Sequence, residues 1–96
     1  MQANILLEII DKTGRKINLR KDRWAHILNH PGMANQQERI KETLEKPYKI
    51  IKLKDDESTT FYFRYYKDFK QYLLVMVKYL NGKGFIITSF YTDKIK

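Results

Sequence analysis

The segment Trp24-Ala-His-Ile-Leu-Asn-His30-Pro31 brings an indole, two imidazoles and a helix stop together, and it holds both histidines of the 96-residue chain. Imidazole is the side chain whose unperturbed pKa lies closest to neutral pH, so His26 and His30 are the natural candidates for moving a proton. Four apart on a helix they share a face. One could take a proton while its partner, or another group, returns one. The same spacing could make half a metal site, with Asp22 four residues before His26 as a third ligand. The chain has no cysteine and no H-E-x-x-H pattern, however, and neither a metal nor a cofactor is expected. The remaining reading is two solvated histidines on the wet face of an amphipathic helix.

Three further groups carry chemical interest. Lys78 interrupts the apolar run Leu73-Leu-Val-Met-Val77 and Tyr79-Leu80. Period-2 geometry puts it on the face of Leu74, Met76 and Leu80. There it either reaches a cleft, where it could neutralise a phosphate or an oxyanion, or snorkels out at the strand end. Tyr62, Arg64 and Tyr66 share one strand face. Tyrosines flanking an arginine offer bases a stacking surface and phosphates a fork, or else form a cross-strand aromatic ladder. Thr88 and Ser89 point to opposite faces of the last strand, so one of the two hydroxyls can face a substrate. These considerations make His26, His30, Lys78 and one of Thr88 and Ser89 candidates for the chemistry. Arg64, Tyr62, Tyr66 and Trp24 are the expected substrate-binding residues.

The elements that must position these groups are legible from periodicity and turn chemistry. Residues 5–10 are an isoleucine-rich apolar run. Asp11-Lys-Thr-Gly14 is a turn signal, and residues 16–19 alternate, giving an N-terminal β-hairpin over about 5–19. Helical spacing begins at about Lys21, with Trp24, Ile27 and Leu28 on one face and the two histidines roughly opposite. Pro31 should end that helix with His30 as its last residue, near the negative end of the helix dipole. Asn35 and Glu38 resemble a capping box opening a second helix, and Pro47 follows its end. The helices together occupy about 21–46. Residues 48–54, 60–66, 71–80 and 85–92 read as strands, with Asn81-Gly-Lys-Gly84 as a hairpin turn between the last two. The third of these is apolar enough to be a central strand covered on both faces. The expectation is a single α+β domain over residues 1–96: a β-hairpin, two helices packed on one face, and a four-stranded antiparallel sheet over about 48–92.

Composition fits one small folded domain, with 43% hydrophobic and 14% aromatic residues. No apolar run approaches the ~18 residues of a membrane span, and the start has no basic leader, so neither a membrane association nor a signal peptide is expected. Absence of cysteine is compatible with a reducing cytoplasm. The net charge of +8 and a pI near 9.7 favour a polyanionic partner. The lysines and arginines are spread along the chain, so this is a basic surface, not a basic tail.

Read together, Trp24-x-His26-Ile27-x3-His30-Pro31, Ile40-x2-Thr43-Leu44-x2-Pro47, the apolar strand with Lys78, Phe85-Ile-Ile-Thr88 and Thr92-Asp-Lys-Ile-Lys96 resemble the phage-type branch of the barnase–EndoU–colicin–RelE (BECR) nuclease fold. The resemblance covers roughly residues 17–96. It implies helices followed by a four-stranded antiparallel sheet. It also implies a metal-independent, often toxin-like endoribonuclease acting by attack of a ribose 2′-OH on the adjacent phosphate. RNA is then the expected substrate, and an antitoxin or inhibitor protein in the cytoplasm the expected restraining partner. His26, His30, Lys78 and Thr88 match motif positions, which selects Thr88 over Ser89 and makes these four the expected catalytic residues; Arg64 matches loosely. His26 takes the role of general base or acid, and Lys78 and Arg64 that of phosphate ligands. Two positions depart from the pattern: Gly32 stands where the family often has glutamate after His-Pro, and Phe90 where it often has tyrosine. An inactive RNA- or protein-binding module of the same fold is the alternative expectation.

Overall fold

The computed structural model describes residues 4–95; residues 1–3 and residue 96, which closes the C-terminal motif quoted above, lie outside it. The chain opens with β1 (Ile5–Ile10) and β2 (Lys16–Arg20) as an antiparallel hairpin. Its turn is fixed by Asp11, whose Oδ1 accepts the amides of Thr13 and Arg15 at 2.8 and 2.9 Å. Gly14 supplies a φ of 91°, a value that a side chain would oppose.

Helix α1 (Lys21–Ile27) follows β2 without a linker. It stops three residues short of the His30 expected from the sequence. Beyond Ile27 the chain tightens: the amides of Asn29 and His30 reach back three residues, to His26 at 3.1 Å and Ile27 at 2.9 Å. This 3₁₀-like turn satisfies the backbone just ahead of Pro31, where an α conformation is disfavoured. Helix α2 (Gln37–Glu45) also starts differently from expectation. Asn35 adopts a φ of 63° and does not cap it; Gln36 occupies the N-cap without a side-chain capping bond.

Four more strands complete the fold: β3 (Lys49–Lys52), β4 (Thr59–Tyr66), β5 (Gln71–Leu80) and β6 (Lys83–Thr92). The expectation of a separate hairpin and a four-stranded antiparallel sheet is corrected here. All six strands form one mixed sheet in the order β1-β2-β6-β5-β4-β3, with β2 and β6 parallel. The joint forms because Gly84 lets β6 approach β2. A Cβ there would lie 2.8 Å from Ile17, 2.9 Å from Tyr79 and 3.0 Å from Val77. Gly84 therefore serves strand packing, while the tight turn itself uses Asn81 and Gly82 at φ 55° and 79°.

The helices cover one sheet face. Ile27, Met33, Ile40 and Leu44 pack there against Ile17, Leu19, Tyr62, Leu73, Val75, Val77 and Ile86. Among the described residues no helix lies on the opposite face, so β5 is central but not helix-covered on both sides as its composition suggested. Cross-strand pairing puts Phe61, Phe63 and Tyr65 of β4 on that open face with Met76, Leu74 and Tyr72 of β5.

One irregularity decides what β6 contributes. Val77 pairs with Ile86, but Met76 pairs with Thr88, so Ile87 is an extra residue and β6 is bulged. Simple alternation from the buried Ile86 would send Thr88 under the helices. The bulge reverses the sense, turning Thr88, Phe90 and Thr92 to the open face and Ser89 and Tyr91 inward.

Candidate active site

The segment after α1 runs beside the free, C-terminal half of β6, because β2 pairs with β6 only at Gly84 and Phe85. His30 is thereby carried round the sheet edge to the open face. Its Nε2 stands 3.3 Å from the Thr88 hydroxyl, and its ring centroid lies 5.3 Å from that of Phe90. His26 stands edge-on to His30 with centroids 6.2 Å apart, and is solvent-exposed. The two imidazoles, a hydroxyl and an aromatic wall thus meet at one rim of the uncovered face. The contact to the sheet is made by His30, not by His26, which the helix geometry had left pointing away from the core.

Lys78 lies on the same face, paired with Thr59 and Phe85 and one cross-strand pair from Met76 and Thr88. Its side chain is partly exposed. Its Nζ is 3.4 Å from Asp56 Oδ2. Asp56 is held below the usual carboxylate range, to about 2, first by the Ser58 hydroxyl and then by that of Thr59. A carboxylate so fixed keeps the ammonium tethered near the face without burying it.

The other expected binding residues are not brought to this face. Tyr62 is 1% exposed and belongs to the helix-side core, where its hydroxyl meets that of Tyr79 and donates to the Asp11 carboxylate. Tyr66 is also buried and donates to Glu42 at 2.5 Å. Burial, followed by the Glu42 carboxylate, raises its phenol to about 12. Arg64 lies under the end of α2, donating to the Lys46 carbonyl at 2.7 Å and pairing with Glu42 at 3.4 Å. Trp24 packs half-buried against the core. The strand face that was expected to bind substrate is the one that fastens α2 to the sheet.

The two departures from the family pattern also find their places. Phe90 faces the site beside His30, without a hydroxyl. Tyr91 cannot substitute for it, because its hydroxyl is on the helix side, donating to Gln36 at 2.6 Å within reach of Arg39. Gly32 has a φ of 78°, and a Cβ there would meet the Phe69 ring at 3.2 Å, so the glutamate of the pattern does not fit without rearrangement. Sequence reasoning missed Phe90 as a wall of the site and Asp56 as the partner of Lys78. The bulge that aims Phe90 has no signature in the strand's composition. The Asp56-x-Ser58-Thr59 pattern, by contrast, is a recognisable side-chain-capped turn.

The fold and this face define a class: a small α+β domain whose two imidazoles stand at the rim of the sheet face that the helices leave open. The chain matches the family model described as phage-Barnase-EndoU-ColicinE5/D-RelE like nuclease2 over residues 4–96, and it belongs to that family. No curated protein and no solved structure matches it. Among the described residues no helix is long and apolar enough to cross a membrane.

Proposed function

We propose that the protein is an endoribonuclease that cleaves RNA by 2′-OH transesterification at the rim formed by His30, His26 and Thr88. The observation that carries this reading is the approach of the His30 imidazole to Thr88 on the open sheet face of a nuclease-family domain. One imidazole takes the proton of the ribose 2′-OH as its oxygen bonds to phosphorus. The other gives a proton to the departing 5′-oxygen as the P–O5′ bond breaks. The products are a 2′,3′-cyclic phosphate and a 5′-hydroxyl. Thr88 orients the His30 ring by hydrogen bond, and Lys78 swings from Asp56 to neutralise the charge that accumulates on the phosphoryl oxygens. No step calls for a metal or cofactor, and a restraining protein partner in the cytoplasm is part of the same proposal.

A second reading, an RNA-binding module without activity, is favoured by the missing hydroxyl at Phe90. Incubation of labelled RNA with the protein in chelator separates the two. The nuclease reading expects cleavage that falls ~10²-fold or more in His30→Ala and less in Thr88→Val, with folding unchanged by circular dichroism. Intact RNA at near-stoichiometric protein supports the binding module. Cleavage that survives His30→Ala rejects the assignment of the site.

A further inference from the structure

The open face continues away from His30 into aromatic surface that the reaction does not use. Beyond Phe90 lies a shallow hollow of about 290 Å³, lined by Phe61, Phe63, Leu74, Met76 and Lys94 among others. Past it, at the end of the sheet, three tyrosines gather. The Tyr65 and Tyr72 rings are 5.2 Å apart and nearly perpendicular; Tyr48 lies 5.9 Å from Tyr72 and tilted 35° to it. Tyr65 and Tyr72 are directly paired across β4 and β5, and Tyr72 pairs with Thr92 of β6. Thr92 is four residues beyond Thr88, or about 13 Å along the strand.

We propose that Tyr48, Tyr65 and Tyr72 form a stacking platform for the bases of single-stranded RNA flanking the nucleotide held at His30. This rests on the reading of the His30 rim as the site of reaction on RNA. Tyr48 is 68% exposed and Tyr65 46% exposed, which is costly for large rings with no ligand and useful for rings that stack on one. A cross-strand ladder that stabilises the sheet accounts for the Tyr65–Tyr72 pair, but not for Tyr48, which precedes β3 and buries little. Charge favours a polyanion over a protein occupant. Lys94 borders the hollow, Lys49 pairs with Phe63 on the same face, and Asp93 is engaged by the Gln71 amide at 2.9 Å. Phe90 and Thr92 are successive residues of β6 on this face, and Thr92, Tyr72 and Tyr65 are paired in turn across the sheet, so one strand can lie across both.

Binding of 2′-O-methyl oligouridylates, which cannot undergo the cleavage reaction, tests the platform independently of catalysis. Fluorescence anisotropy is read for a labelled ten-nucleotide and a labelled two-nucleotide probe. The platform expects the longer probe to bind at least tenfold more tightly. That advantage should shrink about tenfold in Tyr65→Leu and in Tyr48→Leu, and persist in Tyr65→Phe, which keeps the π-face. Equal affinity for the two probes, or a length advantage untouched by the leucine variants, overturns the platform while leaving the His30 assignment to its own cleavage assay. Equal loss in Tyr65→Leu and Tyr65→Phe also overturns it, because a hydroxyl contact rather than stacking would then be responsible.

Discussion

At the scale of single residues, the site is decided by which side of β6 each side chain takes. Thr88 and Phe90 reach His30 only because Ile87 is extra. Phe90 then stands 5.3 Å between ring centroids from His30, where, on the proposed reaction, a phenol would be placed to donate to the leaving oxygen. Phe90→Tyr should therefore raise the rate of RNA cleavage about tenfold, through a second proton donor at the rim, with little change in stability. An unchanged rate in a steady-state assay would mean that the position does not face the leaving group. The histidine pair was legible from residue type and spacing alone, and so was the face of Lys78, since both follow from helix and strand periods. Which of His26 and His30 meets the sheet was not legible. It depends on the 3₁₀ turn before Pro31, which carries the second ring round the sheet edge. Nor could the fate of Tyr62, Arg64 and Tyr66 be read from alternation. A period of two says that they share a face and is silent on which face the helices cover.

At the scale of elements, turn chemistry and apolar runs located all eight elements, with β1 and β5 at their observed bounds. What could not be seen was the edge at which the N-terminal hairpin joins the rest. Parallel pairing of β2 with β6 is non-local and covers two residue pairs, Ile17 with Gly84 and Asn18 with Phe85. Its local trace is Gly84 itself, which reads as part of a turn signal but is a packing requirement. Gly84→Ala should destabilise the protein by ~1–3 kcal/mol, because the added methyl meets Ile17, Tyr79 and Val77 inside ordinary contact distance. The comparison is with Gly82→Ala, whose cost comes from φ alone, since nothing lies near its absent Cβ. Urea denaturation of the two variants measures this. A Gly84→Ala midpoint equal to that of the parent would mean that the joint is looser than the packing indicates.

At the scale of the whole molecule, one buried carboxylate ties the first turn to the middle of the sheet. Asp11 is 4% exposed, and its Oδ2 accepts the Tyr79 hydroxyl at 2.7 Å. Arg15 lies over the Tyr79 ring at 3.6 Å. Burial would raise the Asp11 pKa, but bonds from Thr13, Tyr79 and the Arg15 amide outweigh it, leaving the carboxyl below its ordinary value of 3.8. A depressed folded-state pKa contributes stability that is complete above the unfolded value and is lost as pH falls through the folded one. Stability should thus be level above about pH 5 and fall below about pH 4. Asp11→Asn should cost ~1–3 kcal/mol near neutrality and flatten part of the acid fall, since an amide cannot accept at both positions. Asp56, depressed to about 2, and Asp22, Glu42 and Asp68, also held below their ordinary values, sustain the remainder. Urea midpoints at pH 6 and pH 3 for both proteins check this; an unaltered acid slope in Asp11→Asn would remove the carboxylate from the account. The same large-scale view explains the charge. A net +8 distributed along the chain favours a polyanionic partner, which the RNA proposed above would be.

The claim on which the rest depends is that a ribose hydroxyl is the nucleophile, and one substrate addresses it directly. An oligodeoxynucleotide containing a single ribonucleotide is incubated with the protein in chelator, and its fragments are resolved by mass. The account expects one cut, on the 3′ side of that ribonucleotide, leaving a 2′,3′-cyclic phosphate and a 5′-hydroxyl. Cleavage at deoxynucleotide linkages, or fragments ending in a 5′-phosphate, would contradict it.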